Sequence, residues 1–326
     1  MTRTLRSVLA AALVGVQLLG FQAPAAFAEA SGRVDAGAGA RAGAEAKVQE
    51  RFATPALWVL RDEDTTIHIF GTSHMLPEGV NWLHGPVRRA FDQAETLVLE
   101  IVQPDDPAQM RPMVMRLGFN PKGVSLSSQL PAPLRQEMTR AASQVGLPMA
   151  ALEPLRPWLA ATTISVAGLQ GLGLNSERGV EQVLAAHAKA SGKKIGGLET
   201  PEQQFGFLAS LPLEDQVALL RSSIRDLESF KSEAKALMAS WITGDIETVG
   251  ALMNESLKDS PNLARVLLTE RNARWATWVR DRMDEPGHVF LAVGAGHLAG
   301  PDNLIGLLEQ KGFKVERVAP ASFAAR

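Results

Sequence analysis

The sequence predicts an α/β fold with a central sheet built from two strand–Gly-x-x-His–helix–strand units and a large helical insertion. The first unit carries the turn from Gly71 to His74, and the second carries the turn from Gly294 to His297 near the C-terminus. Between the two units, apolar residues recur at helical spacing over most of residues 131–283. Repeated supersecondary units usually pack side by side, so we expect the two histidine turns to meet at one edge of the sheet.

The first unit opens with a β-hairpin pattern. Two β-rich runs at residues 57–60 and 66–70 flank a polar turn, and the second run leads into the first histidine turn. A helix pattern covers residues 83–94, and an apolar strand at residues 96–99 carries Glu100 at its end. Strand, turn, helix and strand in this order form the α/β repeat.

The second unit repeats this order at the C-terminal end of the chain. A buried strand is predicted at residues 288–293, a helix at 302–311 and a last strand at 315–318. In the insertion, one short strand at residues 194–198 ends at Glu199, and the remainder is predicted to be helical. Proline and glycine residues mark the expected helix boundaries, which are Pro148, Pro154, Gly171, Gly192 and Pro212.

The N-terminal residues have the pattern of an export signal. Arg3 and Arg6 precede an apolar run from Val8 to Phe21, and Ala26-Phe27-Ala28 is an A-x-A cleavage site. The apolar run has about 14 residues, fewer than the roughly 20 that span a bilayer. We therefore predict a cleavable signal peptide at residues 1–28 and a periplasmic or secreted protein with no membrane span after cleavage.

The chain after the signal is predicted to contain one linker and one domain. Residues 29–50 are rich in Ala and Gly and carry almost no large apolar side chain, which favours a flexible linker. No later stretch of similar composition divides the chain, so residues 51–326 are predicted to form a single domain.

Removal of the signal peptide is directly testable. The mature protein should begin at Glu29 and be released with the soluble periplasmic contents, because the A-x-A site precedes that residue. Mass spectrometry of the intact protein checks its N-terminus. A retained Met1, or fractionation with the membrane after a salt wash, would contradict the prediction.

Charge and composition exclude several classes of function. The net charge of −2 gives no basic surface for nucleic acid, which is therefore not an expected partner. The chain has no cysteine, which excludes disulfides, thiolate metal ligands and a cysteine nucleophile. No Gly-x-Ser-x-Gly motif indicates a serine hydrolase. A glycine pattern from Gly294 resembles a dinucleotide-binding loop, but only one strand remains after the following helix.

His74 and His297 are the main candidates for chemistry. Each follows the carboxyl end of a predicted strand, where open α/β sheets place ligands, and imidazole is a common metal ligand and general base. Glu100 and Glu199 should lie at the same edge, so two histidines with one or two carboxylates form a ligand set suited to Zn²⁺, Mn²⁺ or Co²⁺, with a position left for water. Alternatively, the histidines cap helices or pack in the core, and the glutamates only solvate strand ends.

Arg271 lies on a predicted amphipathic helix at residues 263–283. An arginine on a helix is commonly solvated or paired with a neighbouring acid. Directed into a metal site, it would instead bind a carboxylate or a developing oxyanion. The residues alone leave both interpretations open.

Several short motifs are spread along the chain after Arg51. They are Trp58-Val59, Ile69-Phe70-Gly71-Thr72-Ser73-His74, Leu97-Val98-Leu99-Glu100, Gly179-Val180-Glu181, Gly192-Lys193, Gly197-Leu198-Glu199-Thr200, Arg271-Asn272 and Val293-Gly294-Ala295-Gly296-His297. In this order they resemble the TraB/GumN family, which includes the TIKI-type metalloproteases and the pheromone-shutdown protein PrgY. The resemblance implies a fold like that of the haem-associated ChaN and EraA-type proteins, with a large helical insertion in a central sheet.

The resemblance also implies that the paired Gly-x-x-His motifs, a glutamate and an arginine form the active site. In this sequence those residues are His74, Glu100, Arg271 and His297. Within the family, proteolysis is supported for the TIKI branch.

The residues predict an exported metal-dependent hydrolase that uses water bound to a divalent metal ion, and the resemblance implies that its chemistry is peptidase-like. Glu100 would be a metal ligand or the general base, Arg271 would face the oxyanion, and Glu199 would be a further ligand. The expected partner is a peptide or protein substrate. The alternative function is a non-catalytic periplasmic binding protein for a peptide or haem-like ligand, with the histidines as its ligands.

Overall fold

The computed structural model describes residues 50–224, 227–257 and 260–320. The predicted signal peptide at residues 1–28 and all but the last residue of the predicted linker lie outside the described residues, as do residues 321–326. Among the described residues, none of the helices combines the length and apolar character needed to cross a membrane.

Most strands of the structure coincide with predicted ones. In chain order they are β1 (Arg51–Phe52), β2 (Leu57–Arg61), β3 (Thr65–Thr72), β4 (Val80–Asn81), β5 (Thr96–Ile101), β6 (Lys194–Glu199), β7 (Gly287–Gly294) and β8 (Glu316–Arg317). The short strands β1 and β4, which were not predicted, pair with each other in parallel.

Helices occupy most of the chain between β5 and β7. The α-helices of the described residues, in chain order, are α1 (Gly85–Gln93), α2 (Arg111–Gly118), α3 (Ala132–Gln144), α4 (Met149–Leu152), α5 (Pro157–Gln170), α6 (Val180–Ala190), α7 (Pro201–Ala209), α8 (Leu213–Ile224), α9 (Leu227–Thr243), α10 (Ile246–Leu257), α11 (Pro261–Ala264), α12 (Glu270–Met283) and α13 (Leu304–Gln310).

The predicted helix boundaries agree with the structure. Pro148 immediately precedes α4, Pro154 lies between α4 and α5, and Pro212 precedes α8. Gly171 and Gly192 follow the ends of α5 and α6. Proline fits these positions because it has no N–H to donate and a fixed φ, both of which suit the start of a helix.

The central sheet confirms the α/β class. Its strand order is β6-β5-β7-β3-β2-β8. The four strands β6, β5, β7 and β3 are parallel, whereas β2 runs antiparallel to both β3 and β8, so the sheet is mixed. Thr72 at the end of β3 pairs with Gly294 at the end of β7. The two histidine turns therefore leave adjacent strands at the same level.

The helical insertion agrees with the prediction at its strand and differs from it at one helix. Strand β6, predicted at residues 194–198 with Glu199 at the edge of the sheet, joins the sheet beside β5 and divides the insertion into α2–α6 and α7–α12. The predicted amphipathic helix at residues 263–283 is interrupted by a π-helical turn at Arg265–Thr269, and α12 begins only at Glu270. Such turns shift the phase of a helix and recur at functional sites.

Apolar side chains cover both faces of the central sheet. Leu97, Leu99 and Phe290 pack on one face, and Val98 and Leu291 pack on the other, as the alternation along a strand requires. A separate core lies among the helices of the insertion. Both faces of the sheet are therefore covered by packed side chains, and the carboxyl edge is where residues from several strands can form a site.

Candidate functional site

The predicted site residues come from four adjacent parallel strands. Glu199 ends β6, Glu100 lies near the end of β5, His297 lies in the turn after β7, and His74 follows β3. All four side chains are buried, as is Arg271 from α12. This is the carboxyl edge of the sheet, where open α/β folds place their ligands.

Gly294 lies at the centre of the group. Its N–H donates to Oε1 of Glu100 over 2.7 Å. A Cβ atom on this residue would lie 3.1 Å from Glu100 Oε1, 3.7 Å from His297 Cδ2 and 3.8 Å from His74 Nε2. The structure therefore brings the two histidines and Glu100 together around one position that has no side chain.

His297 is held as a neutral imidazole. Its Nδ1 lies 2.7 Å from Oδ1 of Asn272, and the Asn272 amide nitrogen donates to the carbonyl of Asp302, which fixes the direction of the amide. Nδ1 thus carries the proton, and Nε2 accepts from Nη1 of Arg271 at 3.1 Å. Burial and the positive charge of Arg271 lower the pKa of His297 to about 3.

The Nδ1 atom of His74 faces a carboxylate, whereas the Nδ1 atom of His297 faces an amide oxygen. Its Nδ1 lies 2.7 Å from Oε1 of Glu181, although the ring nitrogen is not aligned as a regular hydrogen bond requires. Thr72 donates its hydroxyl to the same oxygen. Burial alone would lower the pKa of His74, but the charges of Glu181 and Glu100 outweigh it and raise the pKa above its usual range.

The loop before α6 holds His74 through a close backbone approach. The N–H of Val180 donates to the carbonyl of Ser73, and a Cβ atom on Gly179 would lie 2.3 Å from the carbonyl oxygen of His74. Only a residue without a side chain fits there.

Substitution of this glycine should therefore disturb the site. Gly179→Ala is expected to lower the free energy of unfolding by about 1–3 kcal/mol, because the backbone of His74 must move to admit the methyl group. Urea unfolding measures the change. Gly206→Ala is the matched control, since a Cβ atom at Gly206 meets nothing within 4 Å; equal effects at the two positions would contradict the close-approach argument.

Arg271 is fully enclosed, and each of its three guanidinium nitrogens has acceptors. Nε donates to both oxygens of Glu199, Nη2 donates to Glu199 and, at 2.7 Å, to Glu100, and Nη1 donates to the carbonyl of Leu267 and to His297. The centroid of the Trp275 ring lies 4.6 Å from the guanidinium carbon. A direct bond from Arg271 to a substrate would require one of these contacts to open.

Glu100 and Glu199 share the guanidinium of Arg271, but their pKa values change in opposite directions. Burial alone would raise the pKa of Glu100, but the charge of Arg271 outweighs it and lowers the pKa to about 2. Burial raises the pKa of Glu199 despite the opposing charge of Arg271. Glu100 is therefore the carboxylate that remains ionised most firmly.

The side chains around Gly294, two imidazoles and a carboxylate, are of the types that bind divalent metal ions. Metal-ligating histidines typically have their other ring nitrogen held by a carboxylate or carbonyl, and Glu181 and Asn272 occupy that position here. Within the described residues no group of three or more His, Asp or Glu side chains is arranged for an ion as it stands. Binding through Nε2 of His297 requires its hydrogen bond from Arg271 to open.

Glu199 fits an ion less well than the other predicted ligands. Both of its oxygens accept from Arg271, and Oε1 also accepts from the indole N–H of Trp275 at 3.1 Å. Among the described residues, its polar contacts are to these side chains and to Arg274 at 3.8 Å. This arrangement suits a residue that orients Arg271.

Sequence reasoning missed the residues that orient the histidines and Glu100. They are Glu181, Asn272 and Gln204, whose amide nitrogen donates to Oε2 of Glu100 at 3.0 Å. Glu181 and Asn272 lie inside motifs that carry the family resemblance, but the sequence did not indicate what either residue contacts. Gln204 lies on α7, outside those motifs.

Comparisons with known proteins agree with the resemblance seen in the motifs. The chain is 25% identical over 271 residues to an uncharacterised protein of Treponema pallidum, covering 78% of this chain and 80% of that one. It is 23% identical over 257 residues to the protein YbaP of Escherichia coli, covering 78% and 91%. No solved structure matches the chain with significance.

A metalloprotease also appears among the similar proteins. The chain is 26% identical over 164 residues to the metalloprotease TIKI2 of Danio rerio, covering 42% of this chain and 32% of that protein. The model of the TraB/PrgY/gumN family matches residues 56–317, which include every residue of the site described above. The chain therefore belongs to the TraB/PrgY/gumN family.

Proposed function

We propose that this chain is an exported, metal-dependent hydrolase with peptidase-like chemistry, and that its site is formed by His74, Glu100 and His297. The observation that carries the proposal is the meeting of both histidines with Glu100 around Gly294. The similarity to a metalloprotease over part of the chain supports the reaction class.

In this proposal the two histidines and Glu100 hold the ion. His74 and His297 would bind through Nε2, because Nδ1 of each faces Glu181 or Asn272. Glu100 suits a ligand better than a general base, since a carboxyl with a pKa of about 2 accepts a proton poorly near neutral pH. When bound, the ion would supply Lewis-acid activation of water.

Arg271 and Glu199 would act as positioning residues. Arg271 donates to Oε2 of Glu100 and so fixes that proposed ligand, whereas its hydrogen bond to Nε2 of His297 would be replaced by the ion. Glu199 would orient the guanidinium through its contacts with Nε and Nη2.

A metal-by-metal cleavage screen tests the proposal. Mature protein is incubated with a mixed peptide library after chelation and after addition of Zn²⁺, Mn²⁺ or Co²⁺, and products are identified by mass spectrometry. We expect cleavage with at least one ion and its loss on chelation. Cleavage that survives chelation would contradict the metal dependence. Ligand binding without cleavage under any ion would favour the periplasmic binding protein for a peptide or haem-like ligand instead.

Glu181 offers a sharper test of how His74 is held. Glu181→Gln should lower metal affinity and cleavage by about 10–100-fold, because a neutral amide no longer sets the charge and orientation of the imidazole. Glu177→Gln, an exposed change in the preceding turn, is the matched control. Metal affinity measured by calorimetry reports the effect separately from turnover; equal affinity in both variants and the parent would contradict the role.

A further inference from the structure

An apolar cleft adjoins the candidate site on the side of His74. One wall is formed by the two histidine turns, including Ser73, His74 and Gly296. The rest of the lining comes from the helical insertion and contains Leu169, Leu237, Met238, Trp241 and Met253. The cleft is therefore lined by the two histidine turns together with α5, α9 and α10, and His74 belongs both to the cleft and to the proposed site.

The described lining of this cleft contains no Asp, Glu, Lys or Arg. Apart from His74, a proposed ligand, the polar side chains of the lining already form bonds within the protein: Thr72 donates to Glu181, Ser73 donates to the carbonyl of Met75, and the indole N–H of Trp241 donates to the carbonyl of Gly71. Away from His74, a charged or strongly polar ligand group would lose its hydration in the cleft without gaining a side-chain partner.

The apolar wall is also adaptable. Methionine side chains are unbranched and polarisable, and they accommodate apolar groups of different shapes. Met238 is only half-buried, so its side chain is available to a ligand. Trp241 is fixed by its bond to Gly71 and presents a rigid apolar ring beside it.

We propose that this cleft receives a large apolar side chain of a peptide substrate, on the residue next to the bond that is cleaved. The inference rests on the proposed function for the position of the cleaved bond. The preference for apolar side chains follows separately from the residues that line the cleft. The site would thus select peptides with leucine, methionine or phenylalanine at that position and disfavour lysine and glutamate.

The test uses the mature protein and blocked peptides that differ at one position, which carries alanine, leucine, phenylalanine, lysine or glutamate. Binding is measured by calorimetry after chelation, and cleavage is measured with the active ion. We expect leucine to bind about tenfold or more tightly than alanine, from the methylene groups it buries, and lysine and glutamate to bind most weakly.

Two variants separate the cleft from general surface effects. Met238→Glu should abolish the preference for leucine over alanine and shift binding towards lysine, an inversion that a misfolded protein cannot produce. Met115→Glu on α2, where the side chain is exposed and does not line the cleft, should leave the preference unchanged. A second experiment measures the hydrolysis of nitrophenyl esters with acyl chains of increasing length, which tests whether the occupant of the cleft is an acyl chain.

The outcomes distinguish this inference from the proposed function. Apolar-dependent binding without cleavage would support the cleft and count against the hydrolase. Cleavage with equal rates for alanine, leucine and lysine would support the hydrolase and overturn the cleft. A chain-length preference for esters with no discrimination among peptides would also overturn it, because the occupant would then be an acyl chain.

Discussion

Replacing Arg271 by alanine is expected to lower the free energy of unfolding by about 3–5 kcal/mol, because it leaves buried carboxylates without their counter-charge. Arg271 is fully buried and is the cation that Glu100 and Glu199 share. The substitution also removes the donor on His297. Urea unfolding of the mature protein measures the change directly.

A neighbouring arginine provides the control. Arg274 lies on the same helix and reaches the same Glu199, but at 3.8 Å and with about half of its side chain exposed. Arg274→Ala should therefore cost less than about 1 kcal/mol. Arg271→Lys should fall between the two, since it keeps the charge but cannot donate to two carboxylates in the guanidinium geometry. Equal costs for Arg271→Ala and Arg274→Ala would contradict the proposed ion-pair cluster.

The second large effect is expected from the histidines. His74→Ala and His297→Ala should each lower metal-dependent cleavage by more than about 100-fold, the upper end of what loss of a supporting residue costs, because each removes a proposed ligand itself. His288→Ala is the control, since this exposed histidine lies at the start of the strand that leads to His297. Initial rates with the active ion, on variants shown to be folded by circular dichroism, measure the effect.

Either histidine variant with parental activity would remove that residue from the proposed site. Loss of activity in His288→Ala to the same extent would show that the effect is not specific to the two turns.

The sheet was predictable from local patterns. Long apolar runs mark β2, β3, β5 and β7 in the sequence, because these strands are largely buried on both faces. The Gly-x-x-His turns mark the ends of β3 and β7. The pairing of β6 with β5 was not predictable, because an edge strand that pairs across many intervening residues leaves no local signal of its partner. The π-helical turn before α12 is equally invisible to helical periodicity.

The meeting of the predicted site residues at one edge of the sheet was predictable, but their contacts there were not. The sequence shows that His74, Glu100 and His297 follow strand ends, and residues at such ends converge on one edge. It does not show that Glu199 turns towards Arg271 and Trp275, because that depends on how α12 lies across the edge. Nor does it show that Glu181 and Asn272 face the histidine rings, since each comes from a helix whose placement is set by tertiary packing.

Metal binding by the mature protein and its two histidine variants tests the central claim most directly. Equilibrium dialysis against Zn²⁺, Mn²⁺ and Co²⁺, followed by elemental analysis, gives the number of ions per chain and their affinity without any substrate. We expect the parent to bind one ion of at least one of these metals, and His74→Ala and His297→Ala each to weaken that binding by more than about 100-fold. If both variants bind the ion as tightly as the parent, the two histidine turns do not form one metal site.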